Sequence, residues 1–402
     1  MNDQPRKVPK AEATTVQDTA ASPGEAGLSS AGGASAVTGV SSADAMRGRS
    51  SGSQTGQRSQ FEAFELAIVL SHFDLGIIQA IQAYPRGSRK APKVILRADS
   101  GRYLLKRRAP GRHDAYKVAF CHALQLHLAQ RQFPLPRLIG TKKHNNSMLQ
   151  WNDNIYELFE YIKGSSYDRS PEATYEAGKT LALFHKLVLD HQPEYDPSHG
   201  SYHAASSVHQ ALEQLPATLH RTHPDANEHP RLTDLTRRLH ETYDRAAQRV
   251  EDLGLDRWPM QIVHSDWHPG NMLFRGARVV AVIDYDSARI YQRIIDVANG
   301  ALQFSMIAKG EDPRQWPDHV DESRFKRFVR GYDSLRDAVL SRAELRAMPW
   351  LMIEALIAES AIPIAATGSF STLSGADFLH MVQRKVHWIE THADQLVALI
   401  DA

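Results

Sequence analysis

The sequence predicts an α+β fold of two unequal lobes, a small one built on an antiparallel sheet and a larger, mainly helical one. Three observations carry that expectation. Between residues 76 and 162, short apolar runs alternate with turn formers: GIIQAIQAY, PKVILRAD, GRYLLKRR, MLQW and IYELFEYI, a pattern of strands and hairpins. Beyond residue 163, apolar residues recur at helical intervals almost to the end. Inside that helical half, Gln261 to Arg289 revert to strand, polar loop and strand. The expected division is a tail at 1–58, a small lobe at 59–162 and a helical lobe at 163–402.

At 402 residues, 42% hydrophobic and 23% charged, the chain has the composition of an ordinary globular protein. Its net charge of +1 steers it toward neither nucleic acid nor an anionic membrane. Nowhere does the sequence reach the roughly 18 uninterrupted apolar residues of a membrane span. The single cysteine, Cys121, excludes an internal disulfide framework and fits a reducing cytoplasm. The tail is Ser, Gly and Ala with almost no large apolar residues, too little to offset chain entropy, and is expected to be disordered. It lacks the apolar run of a signal peptide despite Arg6, Lys7 and Lys10.

In chain order, Ser59 and Glu62 have capping-box spacing and open a helix carrying Phe61, Phe64, Ile68 and Phe73. Three strands follow, the last two joined at Asp99, Ser100 and Gly101. In GRYLLKRR, Lys106 shares a face with Leu104, opposite Tyr103 and Leu105. The turn AYPRGSRKAP offers Gly87 and Ser88, which suit either contact with a phosphate or an ordinary surface turn. A helix over His113–Gln130 places Val118, Cys121, Leu124 and Leu128 on one stripe, and Pro134 and Pro136 end it. Ser170, Pro171 and Glu172 start the first helix of the larger lobe; His185 within it reads as a packed histidine. His191, His199, His203 and His209 show no regular metal spacing and read as loop and surface. Asp318, Asp321, Glu322, Glu354 and Glu359 stay open between substrate contacts and solvated helix faces.

The chemistry concentrates in QIVHSDWHPGNMLFRGARVVAVIDYDSAR, where His264, Asp266, His268, Asn271, Asp284 and Asp286 sit at or beside strand ends. Asp266 and Asn271 are separated by four residues, and Asp284 ends the next strand but one. This is the D-x-x-x-x-N plus later Asp of kinase-type phosphoryl transfer. Such chemistry needs a carboxylate to take the proton of the attacking hydroxyl. It also needs hard oxygen ligands, here Asn271 and Asp284, for Mg²⁺ on the nucleotide phosphates. His264 reads as an orienting residue hydrogen-bonded inside the loop, Asp286 as a structural acid or second metal ligand, and Asp296 as loop support. A zinc site on the histidines is disfavoured by the single cysteine and by the strand that follows at kinase spacing.

At these residues the chain resembles the aminoglycoside phosphotransferase and choline kinase superfamily, whose fold is protein-kinase-like. HSDWHPGNML resembles its H-G-D-x-H-x-x-N-x-L, VIDYDSA its I-D-[FWY]-[DE]-x-A, and LALFHKL its L-A-x-L-H. ELFEYIKG and the hairpin-lysine layout look closest to homoserine kinase-like and spore-coat-kinase-like members. The resemblance implies a phosphotransferase moving the γ-phosphoryl group of ATP, with Mg²⁺, to a small hydroxylated acceptor such as an amino alcohol, amino acid or sugar. It implies Asp266 as base, Asn271 and Asp284 as metal ligands, and Lys106 on the nucleotide phosphates. Ser88 would lie in the phosphate-covering loop, and the backbone from Glu160 to Ile162 would meet the adenine edge. One departure stands out. The family's glutamate on the small-lobe helix, partner of the strand lysine, is missing between Arg112 and Phe133. That gap keeps a second reading open, a nucleotide-binding scaffold without turnover.

Overall fold

The first helix opens at Glu62 rather than at Ser59. In the computed structural model, which describes residues 58–401 apart from Pro224, α1 runs Ala63–Ser71 and the Glu62 amide donates to Glu65 Oε2 at 3.2 Å. Ser59 cannot cap it: its amide donates to the carbonyl of Arg89 at 3.0 Å and fixes the chain entry elsewhere. Residues 1–57 of the N-terminal tail, with the disorder expected of them, lie outside the described residues; its last expected residue, Arg58, is described and hydrogen-bonded to the loop at Gly87 and Ser88.

Five strands then form one antiparallel sheet in the order β1-β2-β3-β5-β4. They are β1 (Ile78–Ala83), β2 (Lys93–Ala98), β3 (Gly101–Arg107), β4 (Leu149–Trp151) and β5 (Asn154–Glu160). Side chains alternate across the pleat. Val94, Leu96, Tyr103, Leu105, Tyr156 and Leu158 turn inward and form a small core with Val69 and Phe73. The other face carries what that core excludes. Lys93 lies directly opposite Lys106, and Lys106 directly opposite Glu157, so β2, β3 and β5 present three charged residues in one row.

Between β3 and β4 lies α2 (Ala115–Gln130), two residues shorter than its pattern suggests. Asp114 caps it, accepting from the amides of Tyr116 at 3.0 Å and Lys117 at 3.3 Å. Its buried stripe, Phe120, Cys121, Leu124 and Leu128, belongs to the large core rather than the sheet's own. Past β5, Ser165 and Phe274 exchange backbone hydrogen bonds at 2.8 and 2.9 Å. The crossing segment is thereby pinned against the hairpin that contains Phe274.

The rest of the chain is helical around short strands. Ser170 Oγ accepts from Ala173 N at 3.2 Å to cap α3 (Pro171–Leu187), with Pro171 at its first turn. Then come β6 (Ser198–His199), α4 (Ser206–Thr222), α5 (His229–Asp252), β7 (Met260–Val263), β8 (Met272–Arg275), β9 (Arg278–Val282), β10 (Arg289–Gln292), α6 (Ile294–Ser305), α7 (Glu322–Tyr332), α8 (Arg342–Thr367), α9 (Gly375–Thr391) and α10 (Ala393–Ile400). Helices α3 and α7 touch backbone to backbone. A Cβ at Gly178 would fall 2.0 Å from the Phe328 carbonyl oxygen, and one at Gly331 would fall 2.0 Å from that of Tyr175, so each crossing point requires glycine. Trp267, Phe184, Phe304, Phe325, Phe328 and Tyr332 fill the large core around this contact. Helix α8 is long and apolar enough to cross a membrane by length and composition, yet 67% of its apolar window is buried. It packs against α4, α5, α6 and α9 as a core helix.

Candidate active site

The loop between β7 and β8 holds the first group of candidate side chains, and Asp296 at the start of α6 shapes it. Asp296 is 1% exposed and accepts from the amides of His264 at 2.6 Å and Ser265 at 2.7 Å. It also receives His185 Nε2 at 3.2 Å, while His185 Nδ1 meets the Tyr332 hydroxyl at 2.8 Å. His185 is therefore a packed, hydrogen-bonded histidine. His264 differs from its expected role. Its ring nitrogens have no hydrogen-bond partner among the described residues, and Phe184, Trp267 and Tyr285 enclose the ring. It orients the loop by packing and through its backbone amide.

Within that loop Asp266 and Asn271 meet. The Asn271 side-chain Nδ2 donates to the Asp266 backbone carbonyl at 3.0 Å and to its Oδ2 at 2.8 Å, which turns the Asn271 Oδ1 away from Asp266. His268 Nδ1 accepts from the Gly270 amide at 3.0 Å, so its proton resides on Nε2, 3.5 Å from Asp266 Oδ1. Burial opposes ionisation of Asp266, but its neighbour His268, then His264 and the hydrogen bond from Asn271, hold its carboxyl at about 2. His268 is correspondingly raised above its ordinary value: burial works against the proton and Asp266 outweighs it.

Asp284 arrives from the next hairpin. Strand β9 ends at Val282, two residues before the Asp284 at which the pattern ends it. The Ile283 amide donates to the Asn271 carbonyl at 2.9 Å, which brings the two expected metal ligands to adjacent points of the backbone. Asp284 has φ +66°, a left-handed conformation that non-glycine residues adopt at a cost and that concentrates at functional sites. Its carboxylate makes no hydrogen bond or ion pair among the described residues. Desolvation in the cleft and the negative charges of Asp286 and Asp266 push it above its usual range. An amide oxygen and an unpaired carboxylate are hard donors, and this set suits Mg²⁺.

The row of charges on the sheet completes the site. Lys106 Nζ lies 3.4 Å from Glu157 Oε2 and 3.6 Å from Asp286 Oδ2. The Arg108 guanidinium joins the same two acids, at 2.8 Å to Glu157 and 2.7 Å to Asp286. His122 Nε2, on α2, meets Glu157 Oε1 at 2.7 Å. The acid that holds the strand lysine therefore comes from β5, and the helix contributes the histidine behind it. Burial disfavours charge on Glu157, but Lys106, Arg108 and His122 together lower it well below its normal value. Asp286, buried against Lys106 and Arg108, is lowered too, and in this structure it serves as an ion-pair partner.

Lys93 is a further cation that sequence reasoning missed. Burial and the neighbouring Lys106 lower its ammonium to about 8, against the opposing pull of Asp284 and Asp286. The loop between β1 and β2 folds over it, and a Cβ at Gly87 would lie 2.8 Å from Lys93 Nζ. Arg58 ties that loop down by donating to the carbonyls of Gly87 at 3.1 Å and Ser88 at 3.2 Å. The exposed Ser88 hydroxyl accepts from the Lys90 amide at 3.3 Å. At the far end of β5, the amides of Glu160 and Tyr161 donate to the carbonyls of Arg137 and Arg102, both at 2.9 Å. The Ile162 amide donates to no backbone or side-chain acceptor among the described residues.

On the opposite side, Gln303 donates to Glu359 on α8, and the Glu359 carboxylate adds to the negative potential at His268. Glu354, five residues earlier, is fully buried against His203 at 2.9 Å. Asp321 caps α7 and pairs with Arg324 at 2.8 Å, and Asp318 pairs with Arg384 at 2.7 Å.

The sequence matches the model of the phosphotransferase enzyme family over residues 81–347, and the chain belongs to that family. Among curated proteins none matches its sequence. Its fold is similar to that of solved kinases. An aminoglycoside phosphotransferase from Alicyclobacillus acidocaldarius shares 18% identity and a TM-score of 0.60, over 87% of this chain and 99% of that one. An amicoumacin kinase, solved with AMP-PNP and Ca²⁺, shares 14% and 0.59, over 82% and 94%. A microcompartment-associated aminopropanol kinase shares 15% and 0.59, over 84% and 99%. The fold is thus the two-lobed, kinase-like α+β fold, and the chain is a phosphotransferase.

Proposed function

We propose that the protein transfers the γ-phosphoryl group of ATP to a hydroxyl of a small molecule, with Mg²⁺ held by Asn271 and Asp284. The observation that carries this reading is the Asp266 carboxylate. It is held ionised at about 2 by His268 and Asn271, beside the two oxygen donors of a metal site. A carboxylate in that state accepts a hydrogen bond from an incoming alcohol, aligns its oxygen and takes the proton as the phosphoryl group moves. Mg²⁺ bound by Asn271 and Asp284 would neutralise the β- and γ-phosphates. Lys106, steadied by Glu157, and Lys93 beside it direct two ammonium groups at the same phosphates. The loop at Gly87 and Ser88 would cover them, and the Ile162 amide, at the end of the segment from Glu160, would donate to the adenine edge. Most of the rate acceleration in such a site comes from positioning and preorganised charge.

The acid Glu359 near His268 supports an acceptor bearing an amine, an amino alcohol before an amino acid or a neutral sugar. The similarity to an aminopropanol kinase is in keeping with that order. The test is Asp266→Asn assayed with ATP and a panel of amino alcohols. Turnover should fall by at least about a thousandfold while nucleotide binding persists. Turnover at the wild-type rate would remove Asp266 as base.

A further inference from the structure

Helices α4 and α5 carry a group of side chains that phosphoryl transfer does not use. His240 and Asp244 are four residues apart on α5 and so share one face. His209 reaches them from α4. Its Nδ1 lies 3.1 Å from His240 Nε2 and 3.6 Å from Asp244 Oδ1, and His240 Nε2 lies 3.9 Å from Asp244 Oδ2. Two imidazole nitrogens and a carboxylate therefore converge on one point, with all donor atoms within 4.8 Å of one another. Ligands bound at 2.0–2.2 Å around a tetrahedral ion stand about 3.3–3.6 Å apart. The observed spacings bracket that range.

Hydrogen bonding within the trio leaves part of the arrangement unexplained. The two rings share one proton at 3.1 Å, but at 3.6 and 3.9 Å the carboxylate is beyond hydrogen-bond reach of both. The scaffold is also set in advance. The His209 ring stands edge-on to Tyr243 at 5.2 Å and 81°. Tyr243 is itself fully buried, and its hydroxyl accepts from the Ala205 amide at 2.8 Å and donates to the Tyr202 carbonyl. The site opens to solvent, with the His209, His240 and Asp244 side chains 35%, 30% and 53% exposed, so an ion can enter and water can complete its shell.

We propose that His209, His240 and Asp244 form a site for a divalent transition-metal ion, Zn²⁺ by donor type. Two nitrogens and one oxygen favour zinc and its neighbours over Mg²⁺ and Ca²⁺, which prefer all-oxygen shells. Bound there, the ion clamps α4 to α5 next to the segment Tyr202–Ala205, whose His203 meets Glu354. The spacing of histidines along the sequence hid this site, because its two histidines lie 31 residues apart on different helices.

The experiment is calorimetric titration of ZnCl₂ into metal-stripped full-length protein, in excess Mg²⁺ to occupy the oxygen-rich active site. Because the chain has 20 histidines, His240→Gln, Asp244→Asn and the exposed control His199→Gln are titrated alongside. The expected result is one tight Zn²⁺ per chain. Affinity should drop at least about tenfold in His240→Gln and Asp244→Asn and stay unchanged in His199→Gln. Co²⁺ in place of zinc should give the visible absorption of a nitrogen- and oxygen-ligated ion, lost in His240→Gln. An unchanged thermal response of His240→Gln to Mg²⁺ and ATP confirms that the variant is folded. No tight zinc in the wild type, or equal affinity in His240→Gln, overturns the assignment.

Discussion

Replacing Glu157 by Gln removes one negative charge from the centre of the site with almost no change of shape. Glu157 is 1% exposed and is shared by Lys106, Arg108 and His122 at 3.4, 2.8 and 2.7 Å. Without it, Asp286 is the one acid left to both cations, and at 2.7 Å it already favours Arg108 over Lys106, which stands at 3.6 Å. Breaking a buried charge pair by removing one partner costs about 3–5 kcal/mol of stability. Losing one preorganised charge contact to the transferring phosphoryl group costs a further ~2.7–4 kcal/mol in catalysis, about 10²–10³ in kcat. The assay is kcat/KM for ATP at saturating acceptor, corrected for folded fraction by a urea melt of the same preparation. The expected outcome is a lowered melting point together with the loss of rate. If the variant melts early but keeps wild-type kcat/KM per folded molecule, Glu157 is structural alone and Lys106 does not depend on it. If neither quantity changes, the whole charge network has been misread.

Two further outcomes are expected. Lys93→Met should raise KM for ATP by about tenfold, some 1.4 kcal/mol, with Lys93→Arg recovering most of it. In the wild type KM should climb as the pH rises past about 8, where Lys93 loses its proton, and a variant with the same pH profile would dismiss that lysine from the phosphate site. His264 concerns acid stability. Burial lowers its ring below the ordinary 6.5, so on acidification the unfolded chain takes up that proton before the folded one does. Its contribution to stability is present above about 6.5 and falls below it by up to ~1.4 kcal/mol per pH unit. Since the ring makes no side-chain hydrogen bond among the described residues, His264→Phe should gain on the wild type between pH 7.5 and 5. A constant difference across urea melts at both pH values would contradict this.

How much of this was legible in the sequence depends on whether the relevant contacts are local. The Asp266–Asn271 spacing could be read because both residues belong to one loop. The alternation that separates Lys106 from Tyr103 and Leu105 could be read because a strand has period two. The helix start at Ser170 could be read because its side chain lies within four residues of the backbone it caps. The replacement for the missing helix glutamate was not readable that way. Glu157 reaches Lys106 only through the β3–β5 register, 51 residues along the chain, and Asp286 joins from a different hairpin. A signal did exist: a charged residue in the middle of the apolar run IYELFE, where burial without a partner would be costly. Lys93 was obscured for the same reason, since its place opposite Lys106 is a property of the β2–β3 pairing. The first helix was misplaced by three residues because capping-box spacing fits both Ser59–Glu62 and Glu62–Glu65. Only the tertiary bond from the Ser59 amide to Arg89 decides between them.

The central claim is that Asp284 and Asn271 form the metal end of a nucleotide site. The most direct test is a thermal-shift titration of the full-length protein with ATP, with and without Mg²⁺, on the wild type and on Asp284→Ala. A ligand that binds the folded state raises its apparent stability, by about 2.7 kcal/mol at a hundred times its dissociation constant. The account predicts a wild-type shift that depends on Mg²⁺ and disappears in Asp284→Ala. A shift of equal size in the variant, or one indifferent to Mg²⁺, would contradict it.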